Sequence, residues 1–151
     1  MPPSGWIDAT DLHAWANRTD ARYQMPQMLR RLIHATVEHP RRVRFSAGEG
    51  VQRSGWDGII EVESGNAYVP DGFSVWELGT GRQVKSKADG DYSKRTADPL
   101  GLNPAKAIFI FVTPRRWGGK DDWMAEKNKE GLDHGVGHPS NQCSRWRHFI
   151  A

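Results

Sequence analysis

The chain is poor in cysteine and has no long hydrophobic stretch, and each of these features excludes certain classes of protein. Its 151 residues include one cysteine, Cys143, which excludes an internal disulfide and a four-cysteine zinc site. No apolar run approaches the roughly 18 residues that suggest a membrane span. The first residues lack the basic and apolar regions of a secretory signal. We therefore expect a cytoplasmic protein without a membrane partner.

The composition is that of one globular domain with a modest excess of positive charge. Hydrophobic residues make up 37% of the chain and charged residues 26%, and this length allows a core of its own. There are 21 Lys and Arg against 18 Asp and Glu, for a net charge of +3. The basic residues are concentrated in the two flanks, around a more acidic centre. Such a distribution suits a polyanion held over a carboxylate site, although a net charge of +3 is common among globular proteins.

Hydrophobic periodicity predicts several helices. From Tyr23 to Glu38 the apolar residues recur at three- and four-residue spacing, which is typical of an amphipathic helix, and Pro26 suits its first turn. A short helix is expected near Leu12. A polar helix is predicted over 85–97 and a surface helix over 121–130.

The segments between these helices have the pattern of strands. Three short stretches, 43–46, 58–63 and 72–78, are separated by residues that turns prefer. The unbroken apolar run 107–113 predicts a central strand that is buried on both faces. Helices and strands in this order predict an α/β or α+β domain.

Two acidic residues hold the most informative positions in this order of elements. Asp57 lies in Gly-Trp-Asp-Gly and Glu77 in Val-Trp-Glu-Leu-Gly, at equivalent places on two successive strand-like segments. Because adjacent strands lie about 4.8 Å apart, the two carboxylates can converge on one hard cation such as Mg²⁺. Simpler roles remain open, since Asp57 could cap a turn and Glu77 could be a surface residue of its strand.

Basic residues later in the chain would complete a site for phosphodiester cleavage. Such cleavage needs a metal-activated water and positive charge near the phosphate. Lys85 and Lys87 follow the third strand-like segment and are assigned to the catalytic group together with the two acids. The residues expected to hold nucleic-acid phosphates are Lys94, Arg95, Arg115 and Arg116. A solvated basic face is the alternative for the stretch from 82 to 95.

The order of these elements and motifs resembles the PD-(D/E)XK restriction-endonuclease-like superfamily. That superfamily has an αβββαβ core with an acid at the start of its second strand and an acid-x-lysine on the third, and the resemblance covers about 23–115. The chain is particularly similar to the N-terminal nuclease-like domains of large bacterial anti-phage proteins. The similarity lies in Gly-Trp-Asp-Gly at 55–58, Pro-Asp-Gly-Phe-Ser-Val-Trp-Glu-Leu-Gly at 70–79, and Lys-Ala, Asp-Tyr and Lys-Arg-Thr within 87–96.

The resemblance implies a nuclease-like α/β domain over 1–130, with a central mixed sheet flanked by helices. It implies a metal-dependent DNA endonuclease that uses Mg²⁺ or Mn²⁺ and serves as an effector in bacterial antiviral defence. The implied partners are DNA and further domains or subunits of a defence complex, and a homodimer is one assembly that this class allows. The alternative is a catalytically inactive nuclease-fold domain for interaction or sensing.

Two positions depart from the pattern of this superfamily. Gly79 stands where the lysine of Glu-x-Lys is expected, so the ammonium has to come from Lys87, our first choice, or from Lys85 or Lys94. Loss of activity is the competing explanation. After residue 130 the periodicity dissolves, and we expect an irregular tail over 131–151, for which a truncated or frameshifted reading frame is one hypothesis.

Overall fold

The computed structural model of the chain describes residues 5–46 and 55–133, without the side chains of 131–133. The elements of the described chain are α1 (Ala9–Trp15), α2 (Ala21–Thr36), β1 (Arg42–Phe45), β2 (Gly58–Val62), β3 (Gly72–Leu78), α3 (Val84–Ala97), β4 (Ile108–Val112) and α4 (Lys120–Asp133). A short 3-10 helix, Pro104–Lys106, precedes β4. The part of the predicted tail beyond Asp133 lies outside the described residues. No helix in the described part of the chain is long and apolar enough to cross a membrane.

The strands of the described chain form one mixed sheet in the order β1-β2-β3-β4. The first two pairings are antiparallel, and β3 and β4 run parallel because α3 carries the chain back to the start of the sheet. Gly58 lies opposite Trp76, so the next residues in register are Asp57 and Glu77. The predicted α/β class with a central mixed sheet is confirmed.

The apolar strand β4 is buried on both faces, as its sequence predicts, but it lies at one end of the described sheet. Ile110 and Val112 belong to the core on the α2 face, and Phe109 and Phe111 to the core on the opposite face. The helices on both faces bury this run although β3 is its only neighbouring strand in the described sheet. The prediction of a central position is therefore wrong.

Helices pack against both faces of the sheet because apolar side chains alternate along the strands. Met25, Leu29 and Ile33 of α2 form one core with Trp76 and other residues of that sheet face. The buried residues of the other core are Val75, Val84, Ala88, Tyr92, Ala107, Phe109, Phe111 and Trp123. Alternation along β3 therefore directs Glu77, like Val75, towards α3.

Helix α2 begins two residues earlier than the sequence pattern predicts. Pro26 consequently lies inside the helix and not in its first turn. Because proline has no N–H group, the carbonyl of Arg22 lacks the intrahelical donor that another residue at position 26 would provide. Both residues border a cavity at the end of the sheet.

Candidate functional site

Asp57 is fixed at the junction of three strands. Its backbone carbonyl accepts a hydrogen bond from the N–H of Ser46, directly after β1, at 3.0 Å. Its side-chain Oδ2 accepts from the N–H of Leu78, the last residue of β3, at 2.8 Å. Among the described residues, the carboxylate thus bonds to the neighbouring strand and not within its own segment. This arrangement brings it beside Glu77, on the face of the sheet that α3 covers.

Glu77 is a buried carboxylic acid and not a surface residue of its strand. Only 3% of the residue is exposed, and its Oε1 accepts a hydrogen bond from Nε of Arg95 at 2.5 Å. Burial and the nearby charge of Asp57 raise the pKa of Glu77 to about 8, against the opposing effect of Arg95. The environment therefore favours a proton or a positive charge at this carboxylate.

Arg95 is buried and bonds to other residues of the protein, and its contact with phosphate stays a prediction. The residue is 5% exposed, and its guanidinium donates to Glu77 and also to the carbonyl of Gly55. The guanidinium lies 4.9 Å from the ring centroid of Trp56, within the range of a cation–π contact. Arg95 therefore ties the segment before Asp57 to the carboxylate of Glu77.

A third carboxylate, Asp91, joins this group and was missed by the sequence reasoning. Its Oδ1 accepts a hydrogen bond from Nζ of Lys87 at 2.8 Å. Its Oδ2 is buried and has no hydrogen-bond partner among the described residues. Burial raises the pKa of Asp91, and the charge of Asp57 adds to the effect while Lys87 opposes it. The available signal was the spacing of four between Lys87 and Asp91, which puts both on one helix face.

The structure distinguishes between the two candidate lysines of α3. Lys87 borders the same cavity as Asp57. Lys85 forms an ion pair with Asp89 at 2.6 Å, and Asp89 also accepts from the indole N–H of Trp123 on α4 at 2.8 Å. Lys85 is therefore directed towards α4, and Lys87 alone of these two lysines borders the cavity at Asp57.

Lys87 also occupies the space beside Gly79, the position where a lysine is expected. A Cβ built on Gly79 would lie 3.2 Å from Cγ of Lys87 and 2.8 Å from Cζ of Phe111. Both distances are shorter than ordinary carbon–carbon contacts. The aliphatic part of Lys87 thus packs where a side chain at position 79 would begin.

Two cavities meet at Asp57. The larger has a volume of about 660 Å³ and lies between α2 and the start of α3; its charged lining residues are Arg22, Asp57, Arg82 and Lys87. The smaller has a volume of about 250 Å³, and Arg44 is its basic lining residue. Ser46 and Asp57 border both. The carboxylate of Asp57 is therefore accessible from open space, whereas Glu77 lies beneath it.

The other predicted phosphate-binding residues lie apart from these two cavities. Arg115 is buried, and its guanidinium donates to the carbonyls of Ala16 and Thr80 and to the side chain of Asn17. It thereby joins the α1–α2 connection to the loop after β3, and its contact with phosphate stays a prediction. Lys94 is exposed on α3, and Arg116 is exposed with its guanidinium bonded to Thr10 at 2.6 Å.

The donor groups of the site suit a hard cation in kind. Asp57, Glu77 and Asp91 offer only oxygen ligands, which Mg²⁺ prefers. Oδ2 of Asp91 has no hydrogen-bond partner in the described part of the chain and is the kind of atom that a cation would satisfy. Within the described ranges, however, no three or more His, Cys, Asp or Glu side chains are arranged to hold a metal ion. In this arrangement the guanidinium of Arg95 supplies the positive charge at Glu77.

Comparison of the chain with known protein families, with curated proteins and with solved structures found no match. What the site does must therefore be inferred from its own residues, because a fold alone does not determine function.

Proposed function

We propose that this protein is a metal-dependent DNA endonuclease of the restriction-endonuclease-like type. The observation that supports the proposal is the meeting of Asp57, Glu77 and Asp91 with the ammonium of Lys87 at one end of the sheet, beside an open cavity. Carboxylates next to an ammonium in a cleft are the groups that metal-assisted phosphodiester hydrolysis requires. The order α2-β1-β2-β3-α3-β4 is that of a general α/β domain, so the proposal rests on the site and not on the fold.

Each residue of the site has a distinct role in this proposal. Asp57 and Glu77 hold Mg²⁺ or Mn²⁺, and Asp91 is a third oxygen donor close to them. The bound cation supplies polarisation of the phosphate and a lowered pKa of water. Lys87 orients the attacking water and places positive charge beside the phosphate oxygens, whose negative charge increases in the transition state. Hydrolysis adds one water molecule across a P–O bond of the DNA backbone.

The packing of Lys87 on Gly79 supports this lysine as the replacement for the missing Glu-x-Lys lysine. Asp91 accepts a hydrogen bond from its ammonium at 2.8 Å, which limits the positions that the ammonium can take. A held charge is more effective in catalysis than a mobile one because it needs no reorganisation during the reaction. In this proposal DNA binds on the side of the domain that carries the cavity. The domain as a whole associates with further subunits of a bacterial defence complex.

A second function, in which the domain binds a partner without cutting DNA, is favoured by a specific observation. Arg95 already neutralises Glu77 inside the protein. Exchanging a buried arginine for a metal ion at this carboxylate requires the guanidinium to withdraw, and removal of a paired charge from a buried partner is costly. If this exchange does not occur, the fold remains intact but the chemistry is lost.

Plasmid nicking separates the two functions. Supercoiled DNA is incubated with the protein in Mg²⁺, in Mn²⁺ and in EDTA, and open-circular product is quantified. We expect nicking with metal and none in EDTA, and Asp57→Ala should abolish it. The matched control is Asp71→Ala, which removes an exposed carboxylate outside the two cavities and should nick at the wild-type rate. Absence of product with both metals would favour the non-catalytic function.

A further inference from the structure

Each of the two cavities at Asp57 is lined by arginine: Arg22 and Arg82 border the larger cavity, and Arg44 borders the smaller. We propose that the cavities form one groove, which holds a stretch of DNA backbone across Asp57, with Arg22 and Arg82 contacting phosphates on one side and Arg44 contacting a phosphate on the other. This inference rests on the proposed nuclease function and deepens it, because it identifies the residues that hold the substrate.

The larger cavity supplies the first side of the groove. Arg22 enters it from α2 and Arg82 from the loop after β3, and both residues are exposed. Among the described residues that border this cavity, Asp57 is the acidic one, so positive charge predominates. Ser46, directly after β1, also borders it. The start of α3 lies at the same place, and the N-terminus of a helix attracts anions.

The smaller cavity supplies the second side. Arg44 of β1 is exposed and borders this cavity together with Trp56 and Leu100. Phe45, the next residue of the strand, packs into the core on the α2 face. Because neighbouring side chains of a strand point to opposite faces, Arg44 points to the α3 face, where the carboxylates also lie.

In the proposed groove Asp57 lies between the two sides, and this position determines where the DNA phosphates would lie. A DNA strand whose scissile phosphate lies at Asp57 must place its neighbouring phosphates on either side of that residue. Contacts from arginines to those phosphates fix the register of the backbone without reading the base sequence. Arg95 and Arg115, predicted for this role, are buried, so the exposed arginines that border the groove are Arg22, Arg44 and Arg82. The guanidinium of Arg22 also donates to the hydroxyl of Tyr23 and lies over its ring.

Binding is measured separately from cleavage by fluorescence anisotropy of a short labelled DNA duplex in EDTA. Arg22→Ala and Arg44→Ala should each weaken binding about tenfold, the scale expected for losing a hydrogen-bonded charge contact. Each should also lower the slope of log affinity against log salt by about one. Both residues are exposed, and unchanged urea-unfolding midpoints would show that the variants remain folded.

Arg31→Ala is the matched control for charge. It removes one exposed arginine from the same helix as Arg22, and nine residues at about 100° each place it on the opposite side of α2. Its DNA affinity should stay within about twofold of wild type. A charge on the far side of α2 from the groove is largely screened by salt and contributes little to binding. Equal effects of Arg31→Ala and the groove variants would overturn the groove.

The two proposals fail in distinguishable ways. If wild-type protein nicks plasmid but Arg22→Ala and Arg44→Ala bind duplex as wild type does, the groove is wrong and the nuclease function stands. If the arginine variants lose binding but no metal supports nicking, the groove stands and hydrolysis is wrong. Wild-type protein that does not bind duplex DNA even at low salt overturns the groove in every case.

Discussion

The side chain of Lys87 packs directly on Gly79, with its Cγ only 3.2 Å from where a Cβ at position 79 would lie. Phe111 closes the same space from β4, at 2.8 Å from that Cβ. A side chain at position 79 and the present course of Lys87 exclude each other. Gly79, directly after β3, and Lys87 on α3 therefore form one structural unit, in which the stem of Lys87 packs over a position that has no side chain.

Gly79→Ala should destabilise the protein because the new methyl group overlaps a ring and a lysine stem. Overpacking of this kind typically costs about 1–3 kcal/mol in free energy of unfolding, which urea denaturation measures. Gly81→Ala is the control, since a Cβ there meets nothing within 4 Å. If both variants have the stability of the wild type, the contact between Lys87 and Gly79 does not constrain the site.

Arg95→Met should be strongly destabilising because it leaves Glu77 buried without its partner. Breaking a buried ion pair on one side costs about 3–5 kcal/mol, again measured by urea denaturation. Lys94→Met changes the exposed neighbour and should stay within about 0.5 kcal/mol of wild type.

Replacing both Arg95 and its partner Glu77 provides a second test of this ion pair. The double variant Arg95→Met with Glu77→Leu should be more stable than Arg95→Met alone, since no charge is then left unpaired. A double variant that is less stable than the single variant would contradict the account of the pair.

Asp57→Asn should stabilise the protein, and more at pH 8 than at pH 5. The raised pKa values of Glu77 and Asp91 mean that these groups stabilise the folded state at low pH, and that this stabilisation is lost as pH rises towards about 8. The charge of Asp57 contributes to both shifts, so its removal reduces the loss. We expect a gain on the order of 1 kcal/mol near pH 8, equivalent to about one pKa unit.

The control for this pH effect is Asp71→Asn. Asp71 is exposed and accepts a hydrogen bond from a backbone N–H, that of Gly65, as Asp57 does from Leu78. The effect of Asp71→Asn should be the same at both pH values. A gain from Asp57→Asn that does not grow between about pH 5 and pH 8 would show that Asp57 does not interact with ionised Glu77 or Asp91.

Local sequence patterns predicted most of the fold. The strand over Gly72–Leu78 has the predicted bounds, because alternating apolar residues and flanking turn residues determine it locally. The pairing of Asp57 with Glu77 could also be anticipated, since both lie at corresponding places of successive strands. The position of β4 at the end of the described sheet could not be predicted. Its apolar pattern indicates that both faces are buried, but not whether a strand lies on each side of it.

The roles of the arginines depend on contacts far apart in sequence, and these could not be predicted. Arg95 bonds to Glu77 and Gly55, which lie 18 and 40 residues away, and the segment around Arg95 shows only a polar helix face. Arg115 contacts the α1–α2 connection almost one hundred positions earlier. Conversely, Arg22 and Arg44 show no motif, and only the fold brings them to the two cavities that Asp57 borders.

The rate of metal-dependent plasmid nicking in Lys87→Ala, set against Lys85→Ala, tests the central claim most directly. Both changes remove a lysine of α3 that is paired with an aspartate four residues later, but only Lys87 borders the cavity at Asp57. We predict that Lys87→Ala lowers the rate by about 10² or more, the scale for losing one preorganised stabilising group, and leaves Mn²⁺ affinity nearly intact. Lys85→Ala should nick at close to the wild-type rate. Equal rates for wild type and Lys87→Ala, or a larger loss in Lys85→Ala, would contradict the account.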